Sequence, residues 1–234
     1  MTHPPIVRPS DWDGFDLVAF DVDGTLYDQR ALRLRMVRDM LLHAAVVWDV
    51  GFIRVLRAYR RIRERLADAQ QGVFEATLIA ETAAAAGCAP ATVRAIIGEW
   101  IEQRPLRYLA DCRYPGLLEL FAGLRRSGKI IGILSDYPAR AKLAALGLSA
   151  DHVVSAGDDG VGFLKPHPRG LECLIAAAGV RADATILIGD RKERDGLVAR
   201  RTGARALIRS AGRLDGWQTF ARYDSPLFAP LLET

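Results

Sequence analysis

The sequence predicts an α/β protein whose parallel sheet is interrupted after its first strand by a block of helices. Three observations carry that expectation. Apolar runs of strand length occur at Leu17 to Phe20, Ile130 to Leu134, His152 to Ser155, Thr185 to Ile188 and Ala206 to Ile208. In the C-terminal half each run leads through turn chemistry into a helical pattern, as strands of a parallel sheet covered on both faces do. From residue 28 to about residue 112 no comparable run occurs.

The elements follow in order. After the first run, apolar residues fall at 32, 36, 37, 40, 41, 44, 45 and 48, the three-and-four spacing of an amphipathic helix from Leu32 to Trp48. Val55, Tyr59, Ile62 and Leu66 repeat the pattern in a second helix. Two more, roughly Phe74 to Ala86 and Pro90 to Gln103, flank a turn at Gly87 to Ala89. About four helices suffice for a small bundle that buries its own apolar stripes. Further helices are expected near Pro115, Pro138 and Pro168, because proline suits a first helical turn, and near Glu193. The expected division is a core of residues 1–27 and 113–234 with a helical domain of residues 28–112 inserted into it. In the tail, Trp217, Phe220 and Phe228 are expected to pack against the core.

Composition narrows the function classes. With 234 residues, 50% hydrophobic and 26% charged, the chain can bury a real core and is too apolar to be disordered. A net charge of +4, from 32 basic and 28 acidic residues, is too small to argue for nucleic acid. Its location is more informative. Residues 30 to 65 hold ten arginines against Asp39, Asp49 and Glu64, a net of +7, so the remainder sums to −3. Arg54, Arg57, Arg61 and Arg65 recur opposite the apolar stripe of the second helix, which reads as a solvated face. One or two of the ten are expected to reach an anionic substrate, for which arginine is suited. Docking of this face on nucleic acid or an anionic membrane is the competing use. Cys88, Cys112 and Cys173 are odd in number and lack CxxC spacing, so a reducing, cytoplasmic setting without a zinc site is expected. No apolar run approaches the roughly 20 residues of a membrane span.

Ligands of parallel α/β sheets collect beyond the carboxyl ends of the strands, and carboxylates stand there. The first run ends in Asp21-Val22-Asp23-Gly24-Thr25-Leu26, two acids separated by one apolar residue and followed by glycine. Alone, this reads equally as a surface Asp-Gly turn. The second run ends in Leu134-Ser135, Lys165-Pro166 follows in a loop, and the fourth ends in Gly189-Asp190 with Asp195 five residues on. Singly, Ser135 could cap a helix, Lys165 could be a solvated loop lysine, and Asp195 could favour a helix N-terminus.

Together and in this order, the four motifs resemble those of the haloacid dehalogenase superfamily of hydrolases. The resemblance spans about 16 to 28 and 113 to 208, and the insertion sits where that superfamily carries its helical cap. It implies a Rossmann-like core and a phosphatase chemistry. A carboxylate attacking phosphorus in line forms an acyl phosphate that water cleaves, which makes Asp21 the nucleophile. The resemblance gives Asp23 the proton transfers to the leaving alkoxide and from the water. Dehalogenating members lack an acid at that position, since halide leaves without a proton. Repulsion between the Asp21 carboxylate and phosphate calls for a hard cation, and Mg²⁺ fits. Its implied ligands are Asp21, the backbone carbonyl of Asp23, and Asp190, with Asp195 binding through water or orienting Lys165. Lys165 and the Ser135 hydroxyl would hold the transition-state oxygens. The expected activity is Mg²⁺-dependent hydrolysis of a small phosphorylated metabolite, with no nucleic acid partner and no membrane span. Phosphoryl transfer to a second hydroxyl, 2-haloacid dehalogenation and anion binding through the arginine-rich helices stand as alternatives.

Overall fold

The computed structural model describes residues 6–47 and 50–233. Among them six strands form one parallel sheet: β1 (Leu17–Phe20), β2 (Ile130–Ser135), β3 (His152–Ser155), β4 (Thr185–Gly189), β5 (Arg205–Arg209) and β6 (Thr219–Phe220). Their spatial order is β3-β2-β1-β4-β5-β6. The five apolar runs are strands because alternate side chains enter two separate cores. Val18, Phe20, Ile131, Ile133, Ile186 and Ile188 face one cluster, while Leu17, Ala19, Leu134, Val154 and Leu187 face the other. All four side chains of β1 are consequently buried, so no position in it tolerates a polar residue.

The sheet order reverses beside β1, which has β2 on one side and β4 on the other. Such a reversal leaves a crevice beyond the strand ends. Register sets what meets there. Phe20 pairs with both Ile133 and Ile188, so Asp21, Ser135 and Asp190 all follow paired positions. The Asp21 N–H continues the ladder by donating to the Ile188 carbonyl at 2.9 Å.

Among the described residues, five α-helices lie between β1 and Arg113: α1 (Gln29–Val47), α2 (Gly51–Asp68), α3 (Phe74–Ala86), α4 (Pro90–Ile97) and α5 (Leu106–Cys112). Two differ from the sequence expectation. The fourth pattern ends in a π-helical turn, Gly98–Gln103, and α5 follows as a separate helix. Pro105 stands just ahead of α5, where no helical N–H bond is lost. In α1 the buried stripe is narrower than its periodicity suggests. Leu32 and Met36 are buried and Met40 and Ala44 half-buried, whereas Val37, Leu41 and Ala45 are exposed, because neighbours cover only one line of the helix. Trp48, expected to close this helix, lies outside the described residues. Arg54, Arg57, Arg61 and Arg65 are exposed, as a solvated face requires.

The remaining helices are α6 (Leu117–Arg126), α7 (Arg140–Ala145), α8 (Arg169–Ala178), α9 (Leu197–Thr202) and α10 (Ala229–Leu232). The helix expected near Glu193 begins as a π-helical turn, Lys192–Gly196, that leads into α9. The two-residue β6 is too short to have a periodic signature; Ile208 and Ser210 N–H groups hold it by donating to the Gln218 and Phe220 carbonyls. Phe220 and Phe228 are buried in the main cluster, and Trp12 joins them from the other end of the chain, its indole N–H donating to the Leu227 carbonyl at 2.7 Å. Trp217 is half-buried, with the Arg200 guanidinium over its ring. No single helix among the described residues is long and apolar enough to cross a membrane.

The tail docks against α6 at Gly123, where an added Cβ would lie 1.7 Å from the Leu231 carbonyl oxygen. Neither backbone can yield without undocking α10. Gly123→Ala should therefore destabilise the protein by about 1–3 kcal/mol, the usual cost of overpacking. The midpoint of urea unfolding reads this directly, and an unchanged midpoint would show that α10 does not seat there.

Candidate active site

Asp21 leaves β1 buried, 6% exposed, and its two oxygens are engaged from opposite sides. The Thr25 hydroxyl, one turn later in the loop, donates to Oδ2 at 2.9 Å, and the Lys165 ammonium donates to Oδ1. Lys165 also donates to Oδ1 of Asp195 at 2.6 Å, while Oδ2 of Asp195 accepts the Arg191 N–H at 3.0 Å. Gly24 makes room for the next carboxylate. At a φ of +94° it adopts a conformation that favours glycine, and a Cβ there would lie 2.2 Å from Oδ2 of Asp190.

Asp21, Asp190 and Asp195 thus converge, each offering one oxygen within 4.8 Å of the others. Asp21 and Asp195 share the Lys165 ammonium, and Asp190 stands beside them without a cation of its own hydrogen-bonded to it among the described residues. Burial, reinforced by neighbouring carboxylates and opposed by Lys165, pushes Asp21 well above the usual carboxylate range. Burial followed by the charge of Asp195 pushes Asp190 up to about 6. Against the pull of burial, Asp195 and Asp21 hold the Lys165 ammonium well above its ordinary value. An excess of hard oxygen donors around a buried point is the donor set of a divalent cation such as Mg²⁺, which fits these residues.

Asp23 lies outside that carboxylate cluster. Its oxygens accept from the Lys142 ammonium at 2.6 and 2.8 Å, and Oδ1 also accepts from the Tyr27 hydroxyl. Burial would raise this carboxyl, but Lys142 outweighs it and keeps Asp23 below its ordinary value. Ser135 is buried, its Oγ accepts the Tyr137 N–H at 3.2 Å, and it is not among the residues lining the cavity. Asp136 plays a structural part, since its Oδ1 accepts the Lys165 N–H at 2.9 Å and so fixes the lysine loop.

A cavity of about 570 Å³ opens between these groups and the inserted helices. Leu32, Met36 and Met40 of α1 and Arg60 and Arg63 of α2 form its far wall, facing Asp21, Asp23 and Asp190. Sequence reasoning expected one or two of the arginines here without identifying them. Arg63 is the buried one, at 7% exposure. It donates to the Tyr59 hydroxyl at 3.1 Å and to the Asp136 carbonyl, and its guanidinium centre lies 4.0 Å from the Tyr137 ring centroid. Lys142 and Tyr27 were not anticipated; neither lies in a motif, and a lone lysine on a six-residue helix has no distinguishing sequence signal.

A second charged contact joins α2 to the loop after β4. Arg191 binds both oxygens of Glu64 at 3.0 Å, and Arg194 reaches Glu64 at 2.8 Å and Asp68 at 2.6 Å. Arg194 also donates to the Lys165 carbonyl at 3.1 Å. The basic run after Asp190 therefore serves contact between the insertion and the sheet.

A family model for haloacid dehalogenase-like hydrolases matches residues 15–203. A phosphoglycolate phosphatase of Rhodospirillum rubrum is 33% identical over 102 residues, which is 42% of each chain. One from Mesorhizobium japonicum is 28% identical over 180 residues, 74% of each chain. The first match thus spans under half of that relative's length. Among solved structures, a magnesium-bound HAD-hydrolase of Bacillus subtilis superposes with a TM-score of 0.68 at 14% identity, covering 94% of this chain and 99% of that one.

Two outcomes test the electrostatics. Because the Asp190 carboxyl is held near 6, against an ordinary 3.8, its ionisation penalises the folded state. The penalty grows as pH rises through that interval and is complete above it, at ~3 kcal/mol. Asp190→Asn should therefore raise the melting temperature of metal-free protein at pH 7.5, with the gain shrinking by pH 5; no gain would show that the carboxylates are already neutralised. Glu64 is held at about 2 by its hydrogen bonds to Arg191 and Arg194, so its pairing is complete at neutral pH and fades only in strong acid. The double variant Glu64→Gln, Asp68→Asn should speed amide exchange in α2 at pH 7. Unchanged exchange would assign the anchoring of α2 to its apolar face alone.

Proposed function

The chain belongs to the haloacid dehalogenase-like hydrolases, and from that membership we propose that it is a Mg²⁺-dependent phosphomonoesterase acting through an aspartyl phosphate on Asp21. The observation that carries this reading is a division of labour between two carboxylates at one strand end. Asp21 is tied to Lys165 beside Asp190 and Asp195, while Asp23, two residues on, is tied to Lys142 and stands apart from them. This difference supports reading Asp21 as the nucleophile beside a cation site and Asp23 as the proton carrier.

Asp21, Asp190 and Asp195 would hold the metal, with the Asp23 carbonyl as the further ligand inferred from the family resemblance. When bound, Mg²⁺ would supply positive charge that offsets the repulsion between the Asp21 carboxylate and the substrate phosphate. An Asp21 oxygen attacks phosphorus in line, and the P–O bond to the alcohol breaks with its electron pair passing to the departing oxygen. Asp23, which takes up a proton as the anionic substrate settles beside it, gives that proton to the departing oxygen. Water then attacks the phosphoaspartate while Asp23 takes its proton back, which releases inorganic phosphate and restores Asp21. Lys165 steadies the equatorial charge and Asp195 orients Lys165. Ser135 joins the phosphate donors in this reading through its hydroxyl hydrogen, which the acceptance of the Tyr137 N–H leaves available.

Residues 28–112 act as a cap that excludes water while the acyl phosphate forms and opens to release product. Arg60 and Arg63 present positive charge from the cap, suited to a small anionic metabolite. The phosphoglycolate phosphatases among the relatives support a phosphate monoester as the substrate class.

Turnover of p-nitrophenyl phosphate should require Mg²⁺ and be lost on chelation. Asp21→Asn should lower kcat by at least about 10³-fold, as removal of a nucleophile does. Trapping with acid should leave labelled phosphate on the wild type and none on the variant. Activity that survives either chelation or the substitution overturns the mechanism.

A further inference from the structure

We propose that Lys142, with Tyr27, is a positioning residue that locks the Asp23 carboxylate so that Oδ2 faces the leaving-group oxygen. The inference rests on the phosphomonoesterase reading and extends it to residues outside the four motifs.

The geometry is specific. Lys142 extends from α7 with its side chain only 7% exposed, and its ammonium reaches both Asp23 oxygens, at 2.6 and 2.8 Å. Each carboxylate oxygen has about two acceptor sites. Oδ1 accepts from Lys142 and Tyr27 and is filled. Among the described residues Oδ2 accepts from Lys142 alone, and Asp23 lines the cavity, so the remaining acceptor site belongs to Oδ2. The carboxyl torsion of aspartate is otherwise broad and nearly two-fold, and the two oxygens would exchange freely. Clamped in this way, one defined oxygen handles the proton in both half-reactions.

Both supports are themselves held. Tyr27 bridges to Asp23 and to Arg113, where the chain passes to and from the inserted helices. The neighbouring Asp28 N–H donates to the Cys112 carbonyl at 2.8 Å, and the Tyr114 N–H to the Leu26 carbonyl at 3.2 Å. The Lys142 ammonium also lies 5.0 Å from the Tyr137 ring centroid, close enough for a cation–π contact. That ring carries the Arg63 guanidinium as well. The clamp therefore adjoins the surface by which α2 meets the strand ends. A misplacement of about 1 Å at a reacting group is enough to cost about 10²-fold in rate.

The competing role for a buried ammonium here is direct binding of the phosphate. Leaving-group dependence separates the two. p-Nitrophenolate departs without a proton, whereas an alkoxide requires one, and kcat/KM reports only steps through phosphoryl transfer to Asp21. In Lys142→Met, kcat/KM for glycerol 2-phosphate should fall about 10²-fold and that for p-nitrophenyl phosphate less than about 5-fold. Lys142→Arg should recover part of the alkyl-ester rate, since guanidinium can also grip both oxygens. Tyr27→Phe removes one hydroxyl and should show the same selectivity at smaller size, which tests the clamp even where Lys142→Met fails to fold. Equal losses on the two esters in these variants overturn the inference and leave the phosphatase reading intact. A wild type that turns over neither ester overturns both.

Discussion

The rest of the structure depends on one buried ammonium. Lys165 is the cation shared by Asp21 and Asp195 at the point where β1 and β4 end, with Asp190 beside them. Carboxylates brought this close repel each other and lose hydration, so their assembly requires compensating charge. Several interactions keep that charge in place. Asp136 holds the Lys165 N–H, Arg194 holds its carbonyl, and Glu64 and Asp68 hold Arg194. Removal of Lys165 would leave buried carboxylates uncompensated, a loss typically of about 3–5 kcal/mol.

These supports explain how the inserted helices are coupled to the strand ends. α2 touches the loops that carry the acidic residues at two places, through Arg63 on the Asp136 carbonyl and through Glu64 and Asp68 on Arg191 and Arg194. The loop after β2 and the loop after β4 are therefore both gripped by one helix. Movement of α2 must pull on the neighbours of Lys165, and changes in charge at the site must be felt along α2. Arg54, Arg57, Arg61 and Arg65 of the same helix take no part in this; they are exposed on its solvated face.

Much of this was legible in the sequence because burial on both faces forces a strand to be continuously apolar. Leu17 to Phe20 and Thr185 to Ile188 could be located to within a residue, and so could the acids that follow them. Short elements carried less. α5 was hidden behind Pro105, and β6 has two residues, too few for any period. The exposed half of α1 shows the limit from the other side. Helical spacing states which residues can share a face, but only neighbouring elements decide how much of that face is covered, and Leu41 remains 66% exposed.

By itself the sequence determined five of the six described strands and the order of Asp21, Asp23, Lys165, Asp190 and Asp195 along the chain. Those features are encoded by runs of adjacent residues, where hydrophobic period and turn chemistry act locally. Only the tertiary structure decided which cations serve which anions. Lys142 meets Asp23 across 119 positions, Arg63 meets Asp136 across 73, and Arg194 meets Glu64 across 130. A lone lysine or arginine has no periodicity, and its partner is set by where the backbone returns. The local sequence could therefore place the carboxylates, while the pairing that distinguishes one from another emerged only when the loops were folded against one another.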